Sequence, residues 1–279
     1  MQLQTLECRN DLSPGEFIQQ YYLPQKPVVL GNFMQDWPAR EKWNLDYLRR
    51  LAGHVPVNVY GSWEKHDPTR ISRTPQALMS FAEYLDSLDG PDDGKAYRLF
   101  LFNLIKHCPQ LREDFSFPAF ARGWLKSQPF MFFGRKDADV RIHYDLDFSN
   151  VFLSQFQGAK RIWLFAPDQS RNLHRQPFSS HSNINVRRPD YEKFPRASGL
   201  QGYRCDLSHG QTLFMPSGYW HYVHYLSSGY SLALRSMAVG VPRKLDALRH
   251  LLWLKPVDDL MATLFEESWA RYKVKKAGA

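Results

Sequence analysis

Two short stretches of the chain carry residue types that could do chemistry together. The first, RIHYDLD from Arg141 to Asp147, sets an imidazole and a carboxylate two residues apart. Read as a strand, it puts Arg141, His143, Asp145 and Asp147 on one face and Ile142, Tyr144 and Leu146 on the other. His143 and Asp145 would then offer two ligand atoms to one volume, and a third must come from elsewhere in the fold. The second stretch, GYWHYVHY from Gly218 to Tyr225, contains two candidates. His221 shares a face with Val223 and Tyr225 while His224 points the other way, so only one of them can join the first pair.

Two histidines and one carboxylate with positions left open form the facial triad that holds Fe(II) in non-haem oxygenases. The plainer alternative is packing. His-x-Asp pairs recur by chance, and a histidine in an aromatic-rich strand is commonly a core residue with satisfied hydrogen bonds. His209 sits at a Ser-His-Gly turn, and His174 and His181 lie in a polar segment; none has ligand spacing. On the residues alone both readings stand.

Residues 98 to 240 read as the elements that would position such a site. Short strands are expected at 98–102, 140–146, 150–156, 160–165, 212–215, 220–225 and 230–239. Gln157-Gly158 and Ser227-Ser-Gly229 read as hairpin turns, and many short antiparallel strands imply a sandwich, barrel or jelly roll. A long polar excursion over 166–210 interrupts the series. Before the barrel, Ser13-Pro14-Gly15-Glu16 has the form of a capping box, Pro27–Leu30 reads as a strand, and Asn44 opens a helix that Gly53 closes. Val55, Val57 and Val59 alternate as a half-buried strand does, Thr74-Pro75 reads as a helix start, and residues 90–94 read as a loop. After Pro242 the period turns helical: Leu245, Leu248, Leu251 and Leu252 share one stripe, and Val257, Leu260, Met261, Leu264, Phe265 and Trp269 share a second. Those stripes must be buried on the main domain or against a second copy.

Composition narrows the class. Aromatics make up 15% of the 279 residues, which suits a strand-rich globular chain, and no window approaches a membrane span. The start has no basic and apolar pattern of a secretory leader. Three scattered cysteines (Cys8, Cys108, Cys205) argue for a reducing compartment, read here as cytoplasmic, and against a thiolate zinc site. A net charge of +8 suits an acidic partner, but the basic residues are dispersed, with the densest cluster at Arg271–Lys276.

The stretches also occur in a telling order: SPGEFIQQYYLPQKPVVLGNFMQDWPAREKW, then PFMFFGRKDADVRIHYDLDFSNVFLSQFQGAKRIWLFAP, RRPDYEKFP and HGQTLFMPSGYWHYV. Together they resemble the Jumonji C (JmjC) family, specifically cupin-like hydroxylases of the factor-inhibiting-HIF type, over about residues 10 to 240. The resemblance implies a mainly β fold with flanking helices. A double-stranded β-helix (a jelly-roll, cupin-like barrel) would occupy residues 1–240 with its N-terminal elaboration, and a C-terminal helical pair, a candidate dimerisation element, would occupy 241–279.

It carries over His143, Asp145 and His221 as ligands of a catalytic Fe(II), with 2-oxoglutarate as co-substrate and O2 as oxidant. Lys160 matches the lysine that anchors the far carboxylate of 2-oxoglutarate. Asn150 and Ser236 match two further co-substrate positions, although Ser236 stands where a larger polar residue is common. Phe100 and Val140 stand where the family often has tyrosine and threonine hydroxyls. The implied reaction is hydroxylation of a C–H bond with release of succinate and CO2, on a protein or peptide. A tRNA base is the alternative substrate, and a barrel that binds without turnover is the alternative class. Demethylation of methyl-lysine is less favoured, since the chain shows no reader domain or zinc module.

Overall fold

The computed structural model describes residues 1–62, 75–90 and 96–278. The start expected at Thr74 and most of the loop expected at 90–94 lie outside the described residues. In chain order the strands are β1 (Gln2–Thr5), β2 (Cys8–Arg9), β3 (Val28–Leu30), β4 (Pro56–Val59), β5 (Ala77–Ser80), β6 (Arg98–Phe102) and β7 (Phe130–Gly134). They continue with β8 (Asp139–His143), β9 (Asn150–Gln157), β10 (Lys160–Phe165), β11 (Gln201–Leu207), β12 (Thr212–Met215), β13 (Trp220–Tyr225) and β14 (Gly229–Ser236).

From β7 onward successive strands fall into opposite ones of two facing sheets, except β10 and β11, which pair with each other in one sheet. One sheet has the order β1-β11-β10-β13-β8 and the other β2-β3-β12-β9-β14-β7-β6. The eight strands β7–β14 pair antiparallel throughout, four to a sheet, which is the double-stranded β-helix. β1 and β2 add in parallel, and β4 and β5 form a separate hairpin pair.

Alternation sorts the side chains into three apolar layers. Between the sheets lie Val151, Leu153, Ile162, Leu164, Val223 and Tyr225. The opposite residues of the seven-stranded sheet, including Phe152 and Phe214, pack on the N-terminal elements through Phe17 and Tyr21. The outer face of the five-stranded sheet, including Ile142, Trp163 and Trp220, is covered by Leu173, Ile184 and Phe194 of the long excursion. That excursion is therefore not idle surface: it buries one face of the barrel and contributes β11.

Local expectations held where a cap or a turn dictates them. Ser13 and Glu16 close a capping box, and Asn44 accepts from the Tyr47 N–H to start the helix Leu45–Ala52. The helix expected at Thr74-Pro75 instead begins at Phe81, where Ser80 and Glu83 form the capping box, because residues 77–80 pair with β4 first. β7 carries no alternation in the sequence that marks it as a strand, since all five of its residues are half-buried or buried. β8 ends at His143 rather than at Leu146, leaving Asp145 in the turn that follows.

After the barrel the chain is helical over Val241–Arg249, Lys255–Leu264 and Glu266–Gly278. A π turn at His250–Leu254 admits Pro256 without a break, since proline lacks the N–H and needs relief behind it. One side of these helices docks on the rest of the chain, with Tyr144 Oη 2.8 Å from His250 Nε2 and His174 Nδ1 2.7 Å from the Ala277 carbonyl, while Lys273 pairs with Asp258 at 2.8 Å between two of the helices. The stripe with Leu245, Leu248, Leu252, Trp253, Leu260 and Leu264 stays exposed. Among the described residues no helix is long and apolar enough to cross a membrane.

Candidate metal centre and its cavity

β8 and β13 lie side by side with His143 opposite His221 and Val140 opposite Val223. Two residues of β8, Arg141 and Ile142, thus oppose one of β13, Tyr222, which is a β-bulge. The bulge corrects the simple alternation read from the sequence. Val140 and His143 both face between the sheets, Arg141 also lines the cavity, and Ile142 packs outside with Trp220.

His143, Asp145 and His221 converge so that one ligand atom from each lies within 4.8 Å of the others. The backbone fixes both imidazoles. His143 Nδ1–H donates to the Arg141 carbonyl at 2.8 Å, and His221 Nδ1–H to the Tyr219 carbonyl at 3.2 Å. A carbonyl can only accept, so the proton sits on Nδ1 and the Nε2 lone pair is left for a metal. His143 Nε2 lies 3.9 Å from Asp145 Oδ1. Burial and the neighbouring His221 push His143 down to about 3, and burial lowers His221 too, so both rings are neutral and able to ligate at neutral pH.

Arg235, on β14 of the facing sheet, completes this end. Its Nη1 donates to Asp145 Oδ2 at 2.8 Å and to Ser149 Oγ at 2.9 Å, and it reaches Asp147 Oδ1 at 3.4 Å. Burial alone would raise Asp145, but Arg235, His221 and His143 outweigh it and hold the carboxyl well below the usual range. Asp145 is thus ionised with Oδ2 occupied and Oδ1 directed to the histidines.

The three residues line a cavity of about 310 Å³ that continues to Lys160 on β10. Lys160 is 1% exposed; its ammonium donates to Ser231 Oγ and the Phe132 carbonyl and lies 4.5 Å from the centre of the Tyr225 ring. Burial without a carboxylate partner pulls its pKa down to about 7. A dry, cationic end of this kind fits an incoming carboxylate, and the donor set at the other end fits a hard-to-borderline divalent ion such as Fe(II). Phe100 and Val140 both stand on the cavity wall, so no side-chain hydroxyl is offered at either position.

Asn150 and Ser236 are not brought to this cavity. Asn150 bonds the Met237 carbonyl and the Ser217 N–H, and Ser236 lies 3.4 Å from Tyr22 Oη, both on the outer side of their sheet. Parity is the reason: the cavity-facing residues are Val151 and Leu153 on β9 and Ala233 and Arg235 on β14, one position away in each case. Arg235 was legible as the lone charge in a strand YSLALRS and was missed. His181 carried no signal: its segment pairs with the edge of β8 at His143, bringing its ring to 5.5 Å from the His143 ring. His224 faces outward, as alternation requires, and bonds Asp139 at 3.0 Å.

Comparison with known proteins agrees with this geometry. A family model described as a cupin-like domain matches residues 14–239. The chain is 31% identical over 230 residues to lysine-specific demethylase 8 of Xenopus tropicalis, covering 78% of this chain and 49% of that protein. It is 31% identical over 240 residues to a lysine-specific demethylase of Arabidopsis thaliana, covering 82% and 54%. It is also 27% identical over 233 residues to the human tRNA wybutosine-synthesizing protein 5, covering 76% and 71%. The chain spans about half the length of the two demethylases it matches. With a double-stranded β-helix, a His-Asp-His cluster inside it and these relatives, the chain belongs to the JmjC cupin-like oxygenase family.

Proposed function

We propose that this protein is an Fe(II)- and 2-oxoglutarate-dependent oxygenase that hydroxylates a C–H bond of a protein side chain. One observation carries the reading: a single cavity gathers three ligand atoms at one end and holds at the other a buried lysine with no carboxylate partner among the described residues. His143, Asp145 and His221 would hold the iron, and Lys160 the far carboxylate of 2-oxoglutarate. With both bound, dioxygen supplies one oxygen atom to the substrate C–H and the other to succinate as CO2 leaves. The chain's own part is positioning. Backbone carbonyls fix the two imidazoles, Arg235 keeps Asp145 Oδ2 away from the metal, and Val140, Val151 and Val223 keep water from the reacting volume.

Two relatives are named lysine-specific demethylases and one acts in tRNA wybutosine synthesis. Among the described residues a methyl-lysine ammonium would meet a wall bearing Arg98, Arg141, Lys160 and Arg235 against Asp145, which disfavours that substrate here. Hydroxylation of a tRNA base is the second reading, favoured by the tRNA-related relative and the net charge of +8. We place the protein in the reducing cytoplasm, where its free thiols persist. We also assign the exposed stripe around Leu252, Trp253 and Leu260 to pairing of two copies, which sedimentation of Trp253→Glu against the parent would test.

Anaerobic titration of the Fe(II)-loaded protein with 2-oxoglutarate tests the central reading. A visible charge-transfer band from bidentate chelation is expected, followed on aeration by succinate. A protein that binds iron and shows neither is a barrel that binds without turnover. Salt-sensitive binding of tRNA, weakened by charge reversal of surface lysines, would move the substrate from protein to RNA.

A further inference from the structure

The metal cavity carries more positive charge than a triad and a dicarboxylate use. Its charged wall residues are Arg98, Arg141, Lys160 and Arg235 against Asp145. Arg235 is paired with Asp145 and Asp147. Lys160 is assigned above to the co-substrate. Arg98 and Arg141 remain, and among the described residues neither has a carboxylate partner.

Their placement is the second observation. β8 is the last strand of the five-stranded sheet and β6 the last strand of the seven-stranded sheet, and an arginine from each lines the one cavity. Arg141 stands on the β8 bulge and Arg98 at the start of β6. Each is pinned the same way, by its Nε and one Nη. Arg141 Nε donates to the Ser182 carbonyl at 2.7 Å and Nη2 to Asn183 Oδ1. Arg98 Nε and Nη2 donate to the Gly61 carbonyl at 3.1 and 2.9 Å. In both, Nη1 has no acceptor among the described residues. Two held guanidiniums with unspent donors on the wall of one cavity form a site for an anion. An anionic ligand there would gain charge-assisted hydrogen bonds from donors whose side chains are already held in place.

We propose that Arg141 and Arg98 recognise a carboxylate on the hydroxylated side chain, so that the substrate is an aspartate or glutamate residue presented by a polypeptide. This rests on the oxygenase reading above. Arg141 is two residues from His143, roughly 7 Å along the strand, which is about one acidic side chain's reach from the metal-facing carbon. A nucleotide would put its sugar between phosphate and base and overshoot that distance. The same cavity is lined by Tyr60, Phe100 and the 49% exposed Leu101, a surface for polypeptide rather than for a charged backbone.

The test uses the full chain loaded anaerobically with Fe(II) and 2-oxoglutarate, reading the perturbation of the charge-transfer band by added ligand. The probes are end-blocked pentapeptides with central Asp, Glu, Asn or Gln between glycines, then free aspartate and glutamate, then total tRNA. Acidic peptides should bind at least about tenfold tighter than their amides, and Arg141→Gln or Arg98→Gln should erase that preference while the band itself persists. Arg141→Lys should retain part of it. Binding by the free amino acids alone would support the carboxylate and assign it to a small molecule. Equal binding of acids and amides, binding of tRNA but no acidic probe, or no binding at all overturns the proposal. Loss of the band in Arg141→Gln also overturns it, by giving Arg141 to the co-substrate. If the parent forms no band, the oxygenase reading has failed, and this proposal with it.

Discussion

His221 and His224 sit three residues apart on one strand, 8% and 7% exposed, and face opposite sides of it. Burial does not distinguish them; partners do. His221 spends one ring nitrogen on a backbone carbonyl and turns the other toward His143 and Asp145. His224 meets carboxylates with both of its nitrogens, Nδ1 at 3.0 Å from Asp139 and Nε2 at 3.7 Å from Asp137, and Asp139 also takes Arg187 and Tyr222. The cavity side of the strand keeps ligating capacity in reserve, while the outer side closes its charges on one another. Substitutions on the first should therefore change chemistry, and on the second stability.

The sharpest break of that comparison is the pair of alanine variants. His221→Ala or His143→Ala should abolish iron-dependent turnover of 2-oxoglutarate, a loss on the order of a thousandfold or more, with little change in thermal stability. His224→Ala should do the reverse: turnover per folded molecule stays near parental while stability falls by about 1–3 kcal/mol, since Asp139 loses a buried partner. Iron content and melting temperature on the same preparations check both. Similar behaviour of the two variants would remove the distinction.

Asp139→Asn carries the outer side further. Asp139 is fully buried and accepts from Arg187 at 2.9 Å and Tyr222 at 2.8 Å. Neutralising it weakens the acceptor that Arg187, Tyr222 and His224 share, at a cost of about 1–3 kcal/mol in denaturant unfolding. Iron affinity of the folded fraction should not move. Arg235→Gln is the cavity-side counterpart. Asp145 then loses the hydrogen bond that fixes its Oδ2, and metal affinity should fall about 10- to 100-fold by competition with a chelator. A change in stability without a change in metal affinity would make Arg235 a packing residue.

The same division explains what could be read from the sequence. Strands with clean alternation or firm turns were legible almost to the residue: the ranges 98–102, 160–165, 212–215 and 220–225 recur as β6, β10, β12 and β13. The triad was legible because His143 and His221 are strand residues, although Asp145 joins from a turn. The failures share one cause, which is that local pattern does not encode parity after an irregularity. Asn150 and Ser236 were chosen one position from Val151 and Arg235, the residues that face the cavity. The β8 bulge, which puts Val140, Arg141 and His143 on one cavity, is set by pairing with β13 and leaves no mark in RIHYDLD. His181 arrives from a segment some forty residues on, placed only by its bridge to His143.

Lys160 gives an effect that depends on pH. Burial lowers its pKa from the ordinary 10.5 to about 7, so between those values the unfolded chain binds a proton that the folded one does not. Stability attributable to this group is therefore full above about pH 10.5 and is lost as pH falls toward 7, with a slope of up to about 1.4 kcal/mol per unit. Lys160→Met should flatten that slope and be more stable than the parent at pH 7, as chemical denaturation across pH 6–10 would reveal. Binding of 2-oxoglutarate runs the other way. The carboxylate needs the ammonium, so parental affinity should fall about fivefold from pH 7 to pH 8, while Lys160→Met binds weakly at both. A parent whose affinity is flat across that step would place the far carboxylate on another cation of the cavity, and Arg98 is the next to test.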